Sequence, residues 1–150
     1  MLELRRTPVC VVGVFASPEA LGPLAPAGAL RCVVAPDEAM FVAGRDDGPA
    51  LVRDASAVTA GDPDAVVLDT TDGWTVWTLQ GDAAREGFSR LSELELPDSG
   101  YAHGEVAHLP VRVIVEPDGL RLLVPAMWGE HLREQILERC ASLGVREVRE

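Results

Sequence analysis

The segment Ala65 to Leu94, AVVLDTTDGWTVWTLQGDAAREGFSRLSEL, constrains the fold more than any other part of the chain. A short apolar run, Ala65 to Leu68, ends in an aspartate-rich turn, and a second run, Trp74 to Leu79, follows at once. Gly81-Asp82 then opens a stretch with Ala84, Phe88 and Leu91 at i, i+4 and i+7. That spacing puts three apolar side chains on one helical face, so the stretch reads as a helix with a buried stripe, and the two runs read as strands, the first of them buried. A strand, a tight turn, a strand and a helix in this order require an α+β layer in which the helix covers a sheet face.

The remaining segments extend this pattern on both sides. Val9 to Phe15 reads as a strand, and Ser17-Pro18-Glu19 begins a short helix or turn that Pro23 and Pro26 limit. Leu30 to Val34 and Ala39 to Ala43 read as strands joined by the Pro36-Asp37-Glu38 turn, and Pro49 to Ala57 as a weak helix. Downstream, the polar loop Pro97 to Gly100 leads to one long strand, Glu105 to Val115, which Pro117-Asp118-Gly119 turns back into Leu120 to Val124. The last helix is expected over Trp128 to Leu143, with Trp128, Leu132, Ile136 and Cys140 as its buried stripe and Gly144 as its C-terminal cap. The segments APDEAMFV from Ala35 and EPDGLRLL from Glu116 parallel one another, which marks an internal repeat. The expected fold class is α+β: two ferredoxin-like βαββα(β) pseudo-repeats, at about 8–69 and 73–144, packed as one domain over residues 1–150.

Composition narrows the possible partners. A chain of 150 residues with 47% apolar side chains can bury a core, and its net charge of -11 disfavours nucleic acid and anionic membrane surfaces, both of which need clustered basic residues. No apolar run is long enough to span a bilayer, and the N-terminal apolar stretch is too short for a cleaved signal, so a cytoplasmic protein is expected. All basic residues are arginine and there is no lysine or asparagine, a bias that points to a GC-rich bacterial genome. Cys10, Cys32 and Cys140 are far apart and read as small buried hydrophobes; with His103, His108 and His131 they show no metal-ligand spacing, so no metal is expected.

Each candidate for chemistry has a structural alternative. Asp69 and Asp72 flank a turn where a carboxylate could bind an amine or act as a base, but Asp and Thr at such turns generally accept backbone N–H bonds, and that role is expected of Asp69, Thr71 and Asp72. They would then aim Trp74 into the packing between the halves. Gly81-Asp82-Ala83-Ala84 could bind phosphate at a helix start, yet it lacks a glycine-rich loop and Asp82 would repel the anion, so an N-cap is expected. His108 and Arg112 are four apart on the long strand, on one face, and could hold a carboxylate; Pro110 between them cannot donate a ladder bond and suggests an edge, a bulge or an interface. Trp74 and Trp77 must point to opposite faces of their strand, so either the sheet is covered on both sides or one indole meets a partner. No nucleophile with a neighbouring base is recognisable, and no catalytic residue is assigned.

The run D-x-[ST]-D-G-W followed by G-x-x-A at a helix head, carried by Asp69, Thr71, Asp72, Gly73, Trp74, Gly81 and Ala84, resembles the gamma subunit of heterotetrameric sarcosine oxidase. Ala35 to Glu38, APDE, is similar to the GPDE of that family. The family is related to the folate-binding aminomethyltransferase fold of the glycine-cleavage T protein. The resemblance covers Ala35 to Gly144 best and departs at the N-terminus. It implies a small non-catalytic subunit of an oxidoreductase complex that demethylates sarcosine or a related N-methyl amine. FAD, FMN, NAD and tetrahydrofolate would be bound by larger alpha- and beta-like subunits, and none by this chain. Two other readings stay open: a stand-alone folate- or amine-binding module, and a divergent homo-oligomeric interaction protein.

Overall fold

A computed structural model describes residues 1–149. The chain begins with β1 (Leu2–Arg6) and continues through β2 (Val9–Phe15), α1 (Pro18–Leu21), β3 (Leu30–Ala35), β4 (Glu38–Gly44), α2 (Gly48–Val58) and β5 (Val66–Asp69). After a 3-10 turn at Thr71–Gly73 come β6 (Trp74–Gln80), α3 (Ala84–Ser89), β7 (Gly100–Val106), β8 (Leu109–Glu116) and β9 (Gly119–Pro125). A second 3-10 turn, Ala126–Trp128, leads into α4 (Gly129–Arg139), and β10 (Val145–Val148) follows. Two compact units result, one of residues 8–71 and one of residues 1–7 with residues 72 onward.

The unit of residues 8–71 is βαββαβ, with sheet order β3-β4-β2-β5 and antiparallel neighbours throughout, which is the ferredoxin-like arrangement. Period-two alternation sends Cys10, Val12 and Val14 of β2 and Ala39, Phe41 and Ala43 of β4 to one face. There they meet Leu51 and Ala55, one helical turn apart on α2, and Leu21 and Leu24. Ser17 caps α1 by accepting a hydrogen bond from the Ala20 N–H at 3.3 Å. β5 is a strand as expected but not a buried one. It lies at the sheet edge, with Val66 44% and Leu68 50% exposed, because a short apolar run cannot by itself report whether a second neighbour covers it.

The other unit contains the same plan, β6-α3-β8-β9-α4-β10, enlarged by two strands to the order β10-β1-β6-β9-β8-β7. β1 is inserted between β6, to which it is antiparallel, and β10, to which it is parallel. Its Leu2 and Leu4 are fully buried. The long strand expected from Glu105 to Val115 is instead a hairpin, β7 and β8, joined at Ala107-His108 with both residues at positive φ, 50° and 65°. Pro36-Asp37 joins β3 to β4 and Pro117-Asp118 joins β8 to β9, so the repeated sequence marks the same hairpin in each unit.

Two helices cover one face of the six-stranded sheet. Ala84, Phe88 and Leu91 are buried, as are Leu132, Ile136 and Cys140 of the last helical segment. Trp77 faces this core and its indole N–H donates to the Gly129 carbonyl at 2.8 Å. A Cβ at Gly129 would lie 2.6 Å from Thr75 Oγ1, so α4 can sit this close to β6 only with glycine there. Trp128, expected at the head of the stripe, is 42% exposed, because it lies in the 3-10 turn before α4 and is out of phase with the helix. Gly144 ends the helical segment at φ 73°, the left-handed cap that the sequence suggests. The cysteines are buried, and burial raises the thiol pKa of both Cys10 and Cys140. No helix among the described residues is long and apolar enough to cross a membrane.

Arg133 on α4 grips Glu147 on β10 with two hydrogen bonds, Nε to Oε1 at 2.6 Å and Nη2 to Oε2 at 2.7 Å. The guanidinium hydrogen bonds hold the Glu147 carboxyl below its ordinary range. A carboxyl depressed in the folded state contributes stability above its unfolded pKa, and that contribution is lost as pH falls through the folded value. Stability is therefore expected to decline on acidification from about pH 4 downward, with Glu147→Gln removing part of that slope; urea unfolding at several pH values tests this. Leu132→Ala is expected to cost about 2 to 5 kcal/mol in the same assay. Trp128→Ala, at an exposed position, should cost much less.

Candidate functional site

The aspartate-rich turn is held by its own hydrogen bonds. Asp69 Oδ1 accepts from the Thr71 N–H at 3.0 Å and from Thr71 Oγ1 at 2.6 Å, while Thr71 Oγ1 accepts from the Val11 N–H at 2.9 Å. The Thr71 hydroxyl and N–H hold the Asp69 carboxyl below the usual carboxylate range. Thr70 N–H donates to the Val11 carbonyl at 2.8 Å and completes the turn. Asp72 differs from expectation: it is exposed in the 3-10 turn and makes no side-chain hydrogen bond among the described residues, so Asp69 and Thr71 hold the turn without it. A side chain at Gly73 would meet no atom within 4 Å, and nothing in the structure explains glycine there.

Gly81 and Ala84 have local steric roles. Gly81 has φ 107°, and a Cβ on it would come within 2.4 Å of the Met1 carbonyl oxygen. Ala84 is buried where α3 begins. Asp82 is not the N-cap that the sequence suggests. Position 83, an alanine, occupies that place with no side-chain cap bond, and the Asp82 carboxylate instead lies 3.1 Å from the Met1 amino group, which lowers its pKa. The Asp82 carboxylate beside this helix start would repel an anion there.

The second group of candidates converges on a groove. A concave surface of about 500 Å³ is lined by Trp74, His103, His108, Pro110, Arg112 and Pro125, among others. The strand register explains the convergence: Trp74 pairs with Pro125 and Arg112 pairs with both Leu123 and His103, so these side chains share the sheet face opposite Trp77. The Arg112 guanidinium carbon lies 5.5 Å from the Trp74 ring centroid, and its Nη1 donates to Tyr101 Oη at 2.6 Å. The Tyr101 ring in turn lies 5.8 Å from that of His103.

Two expectations need correction here. His108 and Arg112 do not share a strand face, because His108 sits in the β7–β8 turn, where it is exposed and its Nδ1 is 3.0 Å from Glu105. Pro110 is on an inner strand, not an edge or a bulge. It tolerates that place because it lies next to the hairpin turn, before the β8–β9 ladder begins at Arg112, so no N–H is missed there. The contact of Arg112 with Trp74 and Tyr101 is absent from the sequence reading, since it joins residues from three strands. A second concavity, of about 630 Å³, is bordered by Glu3, Asp82, Arg85, Glu116 and Asp118. Among the described residues no group of three or more His, Cys, Asp or Glu is placed to hold a metal.

No family model and no curated protein sequence matches the chain. Solved structures do. A chain of the heterotetrameric sarcosine oxidase from Corynebacterium sp. U-96, in complex with pyrrole 2-carboxylate, superposes with a TM-score of 0.80 at 21% identity, covering 99% of this chain and 88% of that one. The glycine cleavage system aminomethyltransferase T from Bartonella henselae gives 0.74 at 15% identity over 98% of this chain, which spans about half (47%) of that protein. The regulatory subunit of aspartate kinase from Thermus thermophilus gives 0.55 at 11% identity, over 92% of this chain and 95% of that one. The fold is α+β with two sheets, and it is the fold of the sarcosine oxidase chain and of the aminomethyltransferase, as the signature segment suggests.

Removing the hydroxyl in Thr71→Val leaves the Val11 N–H without its acceptor and takes from Asp69 one of its two donors, at an expected cost of about 1 to 3 kcal/mol. Asp72→Asn should change stability by no more than about 0.5 kcal/mol. Equilibrium denaturation of the two variants measures both.

Proposed function

We propose that this chain is a small non-catalytic subunit of a heteromeric, sarcosine oxidase-like amine oxidase, which it helps to assemble. The observation that carries the reading is chain-for-chain correspondence: 99% of this chain matches 88% of one chain of a heterotetrameric oxidase, whereas it matches only 47% of an aminomethyltransferase. It has the extent of a subunit and half the extent of that enzyme. The use of Asp69 and Thr71 for the turn itself, with no general base beside a nucleophile assigned, supports a structural contribution.

In this reading alpha- and beta-like subunits carry the chemistry. Their FAD, FMN, NAD and tetrahydrofolate would oxidise the methyl-nitrogen bond of sarcosine or a related N-methyl amine, reduce O2 to peroxide and capture the one-carbon unit. The present chain would bind none of these groups, and the complex would work in the bacterial cytoplasm.

The test is to express the tagged chain in its own cells, purify it, and assay the eluate. Stoichiometric co-elution with a yellow, flavin-containing chain and peroxide formation dependent on sarcosine or dimethylglycine are expected, while the chain alone should be colourless and inactive. Turnover by the chain without other proteins, or elution as a single species under all conditions, would overturn the reading.

A further inference from the structure

Arg112, like Arg5, differs from two other half-buried arginines of its unit in having no carboxylate partner among the described residues, and it is the one that lines a groove. Arg121 pairs with Glu116 at 2.9 Å, and Arg133 pairs with Glu147 and Glu130. Arg112 has no carboxylate partner among the described residues, although the chain carries a net charge of -11. Its guanidinium rests on the Trp74 indole and gives one hydrogen bond to Tyr101, and none of its other N–H groups is buried without a partner. A partly desolvated cation attracts an anion in contact with it more strongly than a fully solvated one does, because less water competes for it.

The surroundings favour a polypeptide as the source of that anion. Pro125 leads directly into the 3-10 turn that exposes Met127 (81%) and Trp128 (42%), so two of the three tryptophans lie at one end of this sheet with at least half of Met127 open to solvent. Trp, Met and Arg are among the side chains enriched at protein interfaces. At the same end of the sheet, by the β8–β9 register, the β7–β8 turn holds Ala107 and His108 in the left-handed region without glycine or asparagine, and His108 lines the groove.

We propose that the groove bounded by Trp74, Pro110, Arg112 and His108 is a docking site for a segment of a partner polypeptide, which presents an Asp or Glu carboxylate to Arg112 and an adjacent apolar or aromatic side chain to Trp74. The proposal deepens the subunit reading and rests on it for the existence of a partner chain. The local charge at Arg112 selects the anchoring group: a carboxylate complements the guanidinium, while the Glu105 carboxylate, which also lines the groove and lies 3.0 Å from His108, keeps that anion to the Arg112 end.

Two measurements test the site. In the purification from native cells, His108→Glu with Met127→Glu, both at exposed positions and checked for an unchanged unfolding midpoint, should lower recovery of the complex at least tenfold. Val58→Glu, at an exposed apolar position in the other unit, should not. A complex that survives the double change undiminished would overturn the docking site and leave the subunit reading intact. If no complex forms even with the unchanged chain, the subunit reading fails, and a peptide library displayed on phage decides the docking site separately. Peptides selected on the unchanged chain should be enriched in Asp or Glu next to an aromatic or apolar residue and should lose at least tenfold in affinity for Arg112→Gln. Selected peptides without acidic enrichment, or equal binding to Arg112→Gln, would overturn the proposal. So would benzoate binding as tightly as the peptides, since the groove would then be a small-molecule site.

Discussion

The seating of α4 against β6 is the contact on which the larger unit depends. The Trp77 indole donates its buried N–H to the Gly129 carbonyl, and Gly129 lies against Thr75 with no room for a Cβ. An indole N–H taken from water must find an acceptor, so the start of α4 is fixed to within a hydrogen-bond length. Helical geometry then carries Leu132 and Ile136 onto the sheet, delivers Gly144 where the chain must reverse, and places β10 beside β1. The same constraint leaves Met127 and Trp128 outside the core, because the turn that precedes a helix packed this tightly cannot also be buried beneath it.

Much of the fold is legible in the sequence where one physical signal dominates. The helical stripe Ala84, Phe88 and Leu91, the Gly144 cap and the paired Pro-Asp turns each follow from local spacing or backbone preference. What escapes is what depends on neighbours distant in the chain. β1 is only five residues with two arginines, and its alternation of Leu2 and Leu4 gains meaning only between two other strands. The β7–β8 turn is hidden because Ala-His lacks the Asn-Gly signature that such hairpins favour. The edge position of β5 is likewise a property of sheet order, invisible in an apolar run.

The candidate sites divide along the same line. The Asp69–Thr71 bonds are local, and residue type predicts them, whereas the failure of Asp72 to join them depends on the exact path of the 3-10 turn. Arg112 and Trp74 are 38 residues apart and two strands apart, so only the sheet register reveals that one lies over the other. The side chains gathered on this face are an aromatic plate, an arginine with no carboxylate partner among the described residues, and a proline-lined rim.

The placement of β1 also has a consequence for synthesis on the ribosome. All six elements of the unit of residues 8–71 pair within that span, so the nascent chain can complete this unit while translation continues. The other sheet joins Leu2 to Val145 in parallel register, so β1 waits for a strand made much later. Until residue 148 has cleared the exit tunnel, β1 has no partner on one side and its two buried leucines have incomplete cover. Pairing across so long a stretch of chain has a high closure entropy, so β10 adds to this sheet late in synthesis although it is only four residues long.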